Sequence, residues 1–111
     1  MEGLPQIKIR GIEIDMIRKL STRLIDELTI VTQSPKNDFT LEMIHSTFVL
    51  DGEVATSYPF VEIAWFDRGQ EIQDQVAQTI SKLINEAGCP SVDIMFTILE
   101  KPRYYENGEH Y

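Results

Sequence analysis

A chain of 111 residues supports one hydrophobic core, and its 42% hydrophobic and 25% charged content places it among ordinary globular proteins. Ten Lys plus Arg against eighteen Asp plus Glu give a net charge of -8. A field of that sign repels phosphate backbones and anionic lipid, so neither nucleic acid nor a membrane surface is an expected partner. One cysteine, Cys89, cannot form an internal disulfide, and two histidines offer no zinc-type spacing. No metal or cofactor is expected, and a reducing cytoplasm is the expected compartment. The amino end has no apolar secretion segment, and no apolar run approaches the roughly 20 residues needed to cross a bilayer.

In chain order, Ile7 and Ile9 alternate with Gln6, Lys8 and Arg10, the period-2 pattern of a half-buried strand that Gly11 then breaks. Between Glu13 and Thr32 the apolar residues Ile17, Leu20, Leu24, Leu28 and Val31 recur at spacings of three and four. That is one stripe of a helix, with Arg18, Arg23 and Glu27 turned outward. Ser34-Pro35-Lys36-Asn37-Asp38 is turn chemistry and ends it. Met43 to Leu50 is rich in β-formers and predicts a second strand, which places His45 inside a sheet. Asp51-Gly52 is a hairpin-type turn, with a polar connector through Ser57.

Pro59 opens a third strand, Phe60 to Phe66. Asp67 followed by Gln70 predicts a capping box at the start of a second helix, whose stripe is Ile72, Val76, Ile80, Leu83 and Ala87. Gly88 sits where a left-handed cap is wanted, Cys89-Pro90 stops the helix, and Val92 to Leu99 is a fourth strand. The tail from Lys101 to Tyr111 has no informative period.

The order repeats. Pro5, strand, helix, Ser34-Pro35 and strand are followed by Pro59, strand, helix, Cys89-Pro90 and strand, at offsets of 54 and 55 residues. Each β-α-β unit needs a right-handed crossover between parallel strands, so both helices fall on one face of a four-stranded sheet. The predicted fold class is α+β, with repeat one over about 5–50, repeat two over about 59–99 and a tail over 100–111 in a single domain, 1–111. The opposite sheet face is then covered by no helix, and a homo-oligomer is the economical way to bury it.

A duplicated β-α-β chain of this length with a proline opening its first strand resembles the tautomerase superfamily. That superfamily includes 4-oxalocrotonate tautomerase and macrophage migration inhibitory factor. Tyr58-Pro59-Phe60-Val61-Glu62-Ile63-Ala64-Trp65-Phe66-Asp67-Arg68, Gln70-Glu71-Ile72-Gln73-Asp74-Gln75-Val76-Ala77 and the ending Tyr104-Tyr105-Glu106-Asn107-Gly108-Glu109-His110-Tyr111 resemble an uncharacterised bacterial family of that fold. The resemblance implies a tautomerase-type subunit, usually a homotrimer. In the characterised members an amino-terminal proline amine of lowered pKa shuttles a proton beside a carbonyl, a cation holds the substrate carboxylate, and no cofactor takes part.

Pro5 is the matching proline, and it departs from that pattern because Leu4 precedes it. Its nitrogen is then a tertiary amide with no lone pair to offer and no proton to exchange. Initiation at Leu4 from a TTG codon would give Met-Pro, and loss of the methionine would free the ring nitrogen.

For a substrate carboxylate the candidates are Arg10, at the end of the first strand, and Arg68, at a strand-to-helix junction where ligands tend to bind. His45 is the mid-chain group with a reference pKa near neutrality. Each also has a plainer reading: Pro5 as a strand opener, Arg10 as a solvent-facing partner of Lys8, His45 as a satisfied sheet residue. Trp65, Phe66 and Asp67 read as core rings and a helix cap, Cys89 as a small buried hydrophobe, and Tyr104, Tyr105 and Tyr111 as anchors for the tail. Two function classes follow. One is an isomerase-like enzyme acting on a small 2-oxo acid; the other is a catalytically silent trimer that kept the fold as a binding module.

Overall fold

The computed structural model describes residues 4–111. Met1, Glu2 and Gly3, on which the reading of the amino end rests, lie outside the described residues. The first unit is β1 (Gln6–Arg10), α1 (Ile14–Thr32) and β2 (Thr40–Met43), with a short 3-10 turn at Lys36–Asp38. A hairpin of β3 (Phe48–Leu50) and β4 (Glu53–Ala55) follows. The second unit is β5 (Phe60–Phe66), α2 (Gln70–Glu86) and β6 (Asp93–Leu99). A 3-10 turn at Lys101–Arg103 leads to a final hairpin, β7 (Tyr105–Glu106) and β8 (Glu109–His110).

One sheet in the order β2-β1-β5-β6 holds both units. β1 and β2 run parallel, as do β5 and β6, while β1 and β5 meet antiparallel with Lys8 opposite Glu62 and Arg10 opposite Phe60. The sheet is therefore mixed, and the first unit's strand starts share an end with the second unit's strand finishes. Alternation decides the faces: Ile7, Ile9, Val61 and Ile63 are buried against Leu24, Leu28, Ile80 and Ile84 of the helices. Both helices cover this one face, as the repeat predicts.

α2 ends as its glycine foretells. Gly88 has φ +108°, its N–H donates to the Asn85 carbonyl, and the Cys89 N–H donates to the Ile84 carbonyl. That pair of bonds is the Schellman arrangement. The other end differs from expectation. Gly69, with φ +86°, is the cap residue of α2, and the Asp67 carboxylate instead accepts the Gly69 N–H at 2.9 Å. Gln70 donates forward to Asp74 at 2.8 Å, so no capping box forms. Arg68 and Gly69 stand between Asp67 and the helix, and this two-residue shift takes the acceptor out of register with the first helical N–H groups.

The second strand is also corrected. It occupies Thr40–Met43, and residues 44–47 belong to no strand. Phe48–Leu50 pairs only with Glu53–Ala55, turning at Asp51 (φ +52°) and Gly52 (φ +80°) as the hairpin signal predicts. The run of β-formers from Met43 to Leu50 is thus split between two sheets, and His45 lies in the break, exposed. The helix-free sheet face is not wholly bare either. Phe66, which alternation puts on that face, is buried beneath Tyr104 and Tyr111 at centroid distances of 5.6 and 5.7 Å.

Candidate functional site

Two groups of the singled-out residues gather at opposite ends of the sheet. Pro5 precedes β1, its ring is fully buried, and its carbonyl accepts the Thr40 N–H at 3.0 Å. One step beyond the Gln6–Ala64 pair, the antiparallel register sets Pro5 opposite Trp65. Both residues share the helix-side parity of Ile7 and Ile63. Trp65 is buried and its indole N–H has no acceptor, so no hydrogen bond holds the ring, which packs in part against Phe96 at 5.0 Å.

Arg68 closes this end. Its guanidinium carbon lies 5.3 Å from the centroid of a Trp65 ring, a cation–π contact. Its Nη1 donates to the Ser34 hydroxyl at 3.0 Å and reaches the Thr32 carbonyl at 3.4 Å. That carbonyl belongs to the last turn of α1, where a cation complements the helix dipole. Burial lowers the Arg68 pKa from its ordinary value, and the nearby Asp38 carboxylate opposes the shift. The Arg68 Nε is buried without an acceptor. So one edge of the fork is used structurally and another donor stays unspent.

Arg10 ends β1 on the helix-free face. At roughly 3.3 Å per residue, five residues put it about 16 Å from Pro5. Within the subunit the two do not share a pocket. Arg10 instead stacks on its cross-strand partner Phe60, 4.3 Å from the ring centroid, with its Nε buried and unpartnered. With Lys8, Ile44 and Glu62 the pair lines a hollow of about 200 Å³.

His45 lines a different hollow, of about 150 Å³, with Gly11, Glu13, Ser46 and Ser57 among its walls. The structure thus sets Arg68 on Trp65, the residue opposite Pro5, and leaves Arg10 and His45 at the far end. Cys89, half-buried, rests its Sγ 3.7 Å from Met16 Sδ. Among the described residues no three His, Cys, Asp or Glu side chains converge as a metal site, and no helix is long and apolar enough to cross a membrane.

Sequence reasoning passed over Lys8, which lines the Arg10 hollow, and Ser34, which orients Arg68. Lys8 carried a signal, since it and Arg10 alternate onto one face of a strand; Ser34 carried none beyond its turn.

The sequence matches the family described as "Domain of unknown function (DUF1904)" over residues 4–110. The crystal structure of a DUF1904 protein from Sebaldella termitidis ATCC 33386 is similar, at 34% identity and a TM-score of 0.89. The match covers 97% of this chain and 100% of that one. A protein of unknown function from Vibrio cholerae O1 biovar eltor str. N16961 is 32% identical with a TM-score of 0.86, covering 98% of this chain and 88% of that one. A fused 4-OT solved as a wild-type asymmetric trimer shares the fold at 13% identity and a TM-score of 0.80, covering 96% of this chain and 95% of that one. No curated protein matches the sequence. A tautomerase-like α+β fold, built from two β-α-β units and matched by the family over nearly its whole length, makes this chain a member of the DUF1904 family.

Proposed function

We propose that this chain is a tautomerase-type subunit whose keto–enol proton transfer on a small 2-oxo acid becomes available when Pro5 is the first residue. The observation that carries the reading is the juxtaposition at one sheet end of Pro5, Trp65 and Arg68, whose Nε is buried and unspent. The match to the family, which begins at residue 4, next to Pro5, supports the same reading.

In such a form the secondary amine takes the enol O–H proton and delivers a proton to the adjacent carbon. No atom is gained or lost, and the amine ends as it began. Arg68 would hold the substrate carboxylate through its free donor, because a charged partner offsets the desolvation that lowers its pKa. Arg10 and His45 take no part in this site. The assembly proposed is a homotrimer, supported by the helix-free sheet face and by the trimeric fused 4-OT of the same fold.

One observation favours a second reading. In the chain with Leu4 attached, both Leu4 and Pro5 are buried and the proline nitrogen is an amide. That form fits a catalytically silent trimer serving as a binding module.

Intact mass of the natively expressed protein, followed by ketonisation of phenylpyruvate or 2-hydroxymuconate by the Met1-start and Pro5-start forms, separates the two. Activity confined to the Pro5-start form supports the enzyme. Silence of both forms leaves only the module.

A further inference from the structure

The β3–β4 hairpin stands away from the main sheet, pairing with no strand of it. Two three-residue strands are marginal alone in water, yet Val49, Leu50 and Val54 are 67%, 72% and 78% exposed. Val49 and Val54 are direct cross-strand partners, so their side chains form one apolar patch. Its tip carries Asp51 and Glu53, and residues 46–57 contain no Lys or Arg. This arm is acidic and greasy together, and it lacks a surface to lie on.

The Lys8–Arg10–Phe60 hollow is its complement. It presents two cations, the face of Phe60 and Ile44, with Glu62 as its one carboxylate. Neither cation has a hydrogen bond or ion pair within the described residues, although Lys8 lies in register between Glu42 and Glu62. The Arg10 Nε is buried with no acceptor. A buried guanidinium donor without an acceptor is costly, and a carboxylate brought to it would remove that cost.

The arm does not fill its own hollow. Ile44 and Phe60, which flank the arm in sequence, line the hollow, and no residue of 48–55 does. A second copy's tip is free to fill it.

We infer that the β3–β4 arm of one copy docks on the Lys8–Arg10–Phe60 hollow of the next, its Asp51–Glu53 tip meeting the Arg10 guanidinium. Arm and hollow are different surfaces, so the contact is heterologous and repeats around a closed ring rather than pairing two copies face to face. The inference specifies the contact behind the proposed trimer and is independent of the fate of Pro5.

The test is light scattering across a dilution series with wild type, Arg10→Glu, Glu53→Arg and the double variant, each checked for folding by circular dichroism. The expected result is an oligomeric wild type and a rise of at least tenfold, in either single variant, in the concentration of half-dissociation. The double variant should regain most of that loss. A single variant as associated as wild type, or a double variant no better than either, overturns the arm contact while leaving the trimer reading intact. A monomeric wild type overturns both.

If a charge variant fails to fold, mixed chains carrying Glu53→Cys and Lys8→Cys, each in a Cys89→Ser background, replace it. An intermolecular disulfide on mild oxidation supports the contact, and its absence overturns it. Should the wild type be monomeric and bind benzoate in a way that Arg10→Glu abolishes, the hollow belongs to a free carboxylate instead.

Discussion

Gly11 lies directly against the main chain of Tyr58: a β-carbon on Gly11 would run into the Tyr58 carbonyl, and its φ of +82° already excludes most side chains. This is where β1 ends and the arm's second strand returns toward β5, so two main-chain segments cross with no room between them. Gly11→Ala is expected to lower unfolding stability by more than about 2 kcal/mol, through left-handed strain and displacement of Tyr58. Urea melts of the two proteins measure it; a change below 0.5 kcal/mol, to order of magnitude, would mean the crossing is loose.

Trp65 sets two effects against each other. Trp65→Ala opens a large cavity in the core and should cost about 3–5 kcal/mol. Trp65→Phe loses part of the ring but also removes an indole N–H that is buried without an acceptor. The two terms oppose, so a cost of about 1 kcal/mol is expected. A loss for Trp65→Phe well above that would show that the indole nitrogen has a partner in solution.

Arg68 has a structural and a proposed chemical duty that can be separated. Arg68→Ala breaks the bond to Ser34 and the contact with Trp65 and should cost about 1–2 kcal/mol of stability. Arg68→Lys keeps the charge but not the fork. In the Pro5-start form both substitutions are expected to lower kcat/KM about 30-fold, as loss of a charged hydrogen bond of about 2 kcal/mol would. Steady-state kinetics read it. A drop that tracks thermal stability alone would return Arg68 to a purely architectural role.

Phe66 is buried on the helix-free face because Tyr104 and Tyr111 close over it, and Tyr104 and Tyr111 touch each other at 5.2 Å. The Tyr111 hydroxyl donates to Glu106 at 2.6 Å, which fastens the final residue to the last hairpin. Tyr111→Ala should cost about 1–2 kcal/mol and raise hydrogen exchange in the tail while sparing the main sheet. Exchange that rises equally in β1 would show the tail to be part of the main core.

In the sequence, the helical stripes were readable because three- and four-residue spacing is a local property; Leu20, Leu24, Val76 and Ile80 fell where their intervals put them. Gly88 was readable for the same reason, since a left-handed cap needs only its own residue and the helix before it. Met43 to Leu50 divides between two sheets although its residues all suit a strand, because β-propensity reports which residues suit a strand, not which strand they pair with. The Asp67 cap does not form because the helix starts two residues later than its spacing to Gln70 implies, with Gly69 as the cap.

Of the candidate site, the residue types were legible and their company was not. Pro5 and Arg68 are 63 positions apart, and only the antiparallel meeting of β1 with β5 brings them to one end. The same pairing sends Arg10 to the other end and sets it on Phe60.

The sequence by itself determined two β-α-β units, their apolar stripes and a sheet with both helices on one side, since periodicity and crossover handedness are local constraints. The tertiary structure alone decided which cation faces which neighbour, where His45 lies and that an acidic arm stands free. Those outcomes depend on long-range strand pairing, whose direction no residue spacing encodes.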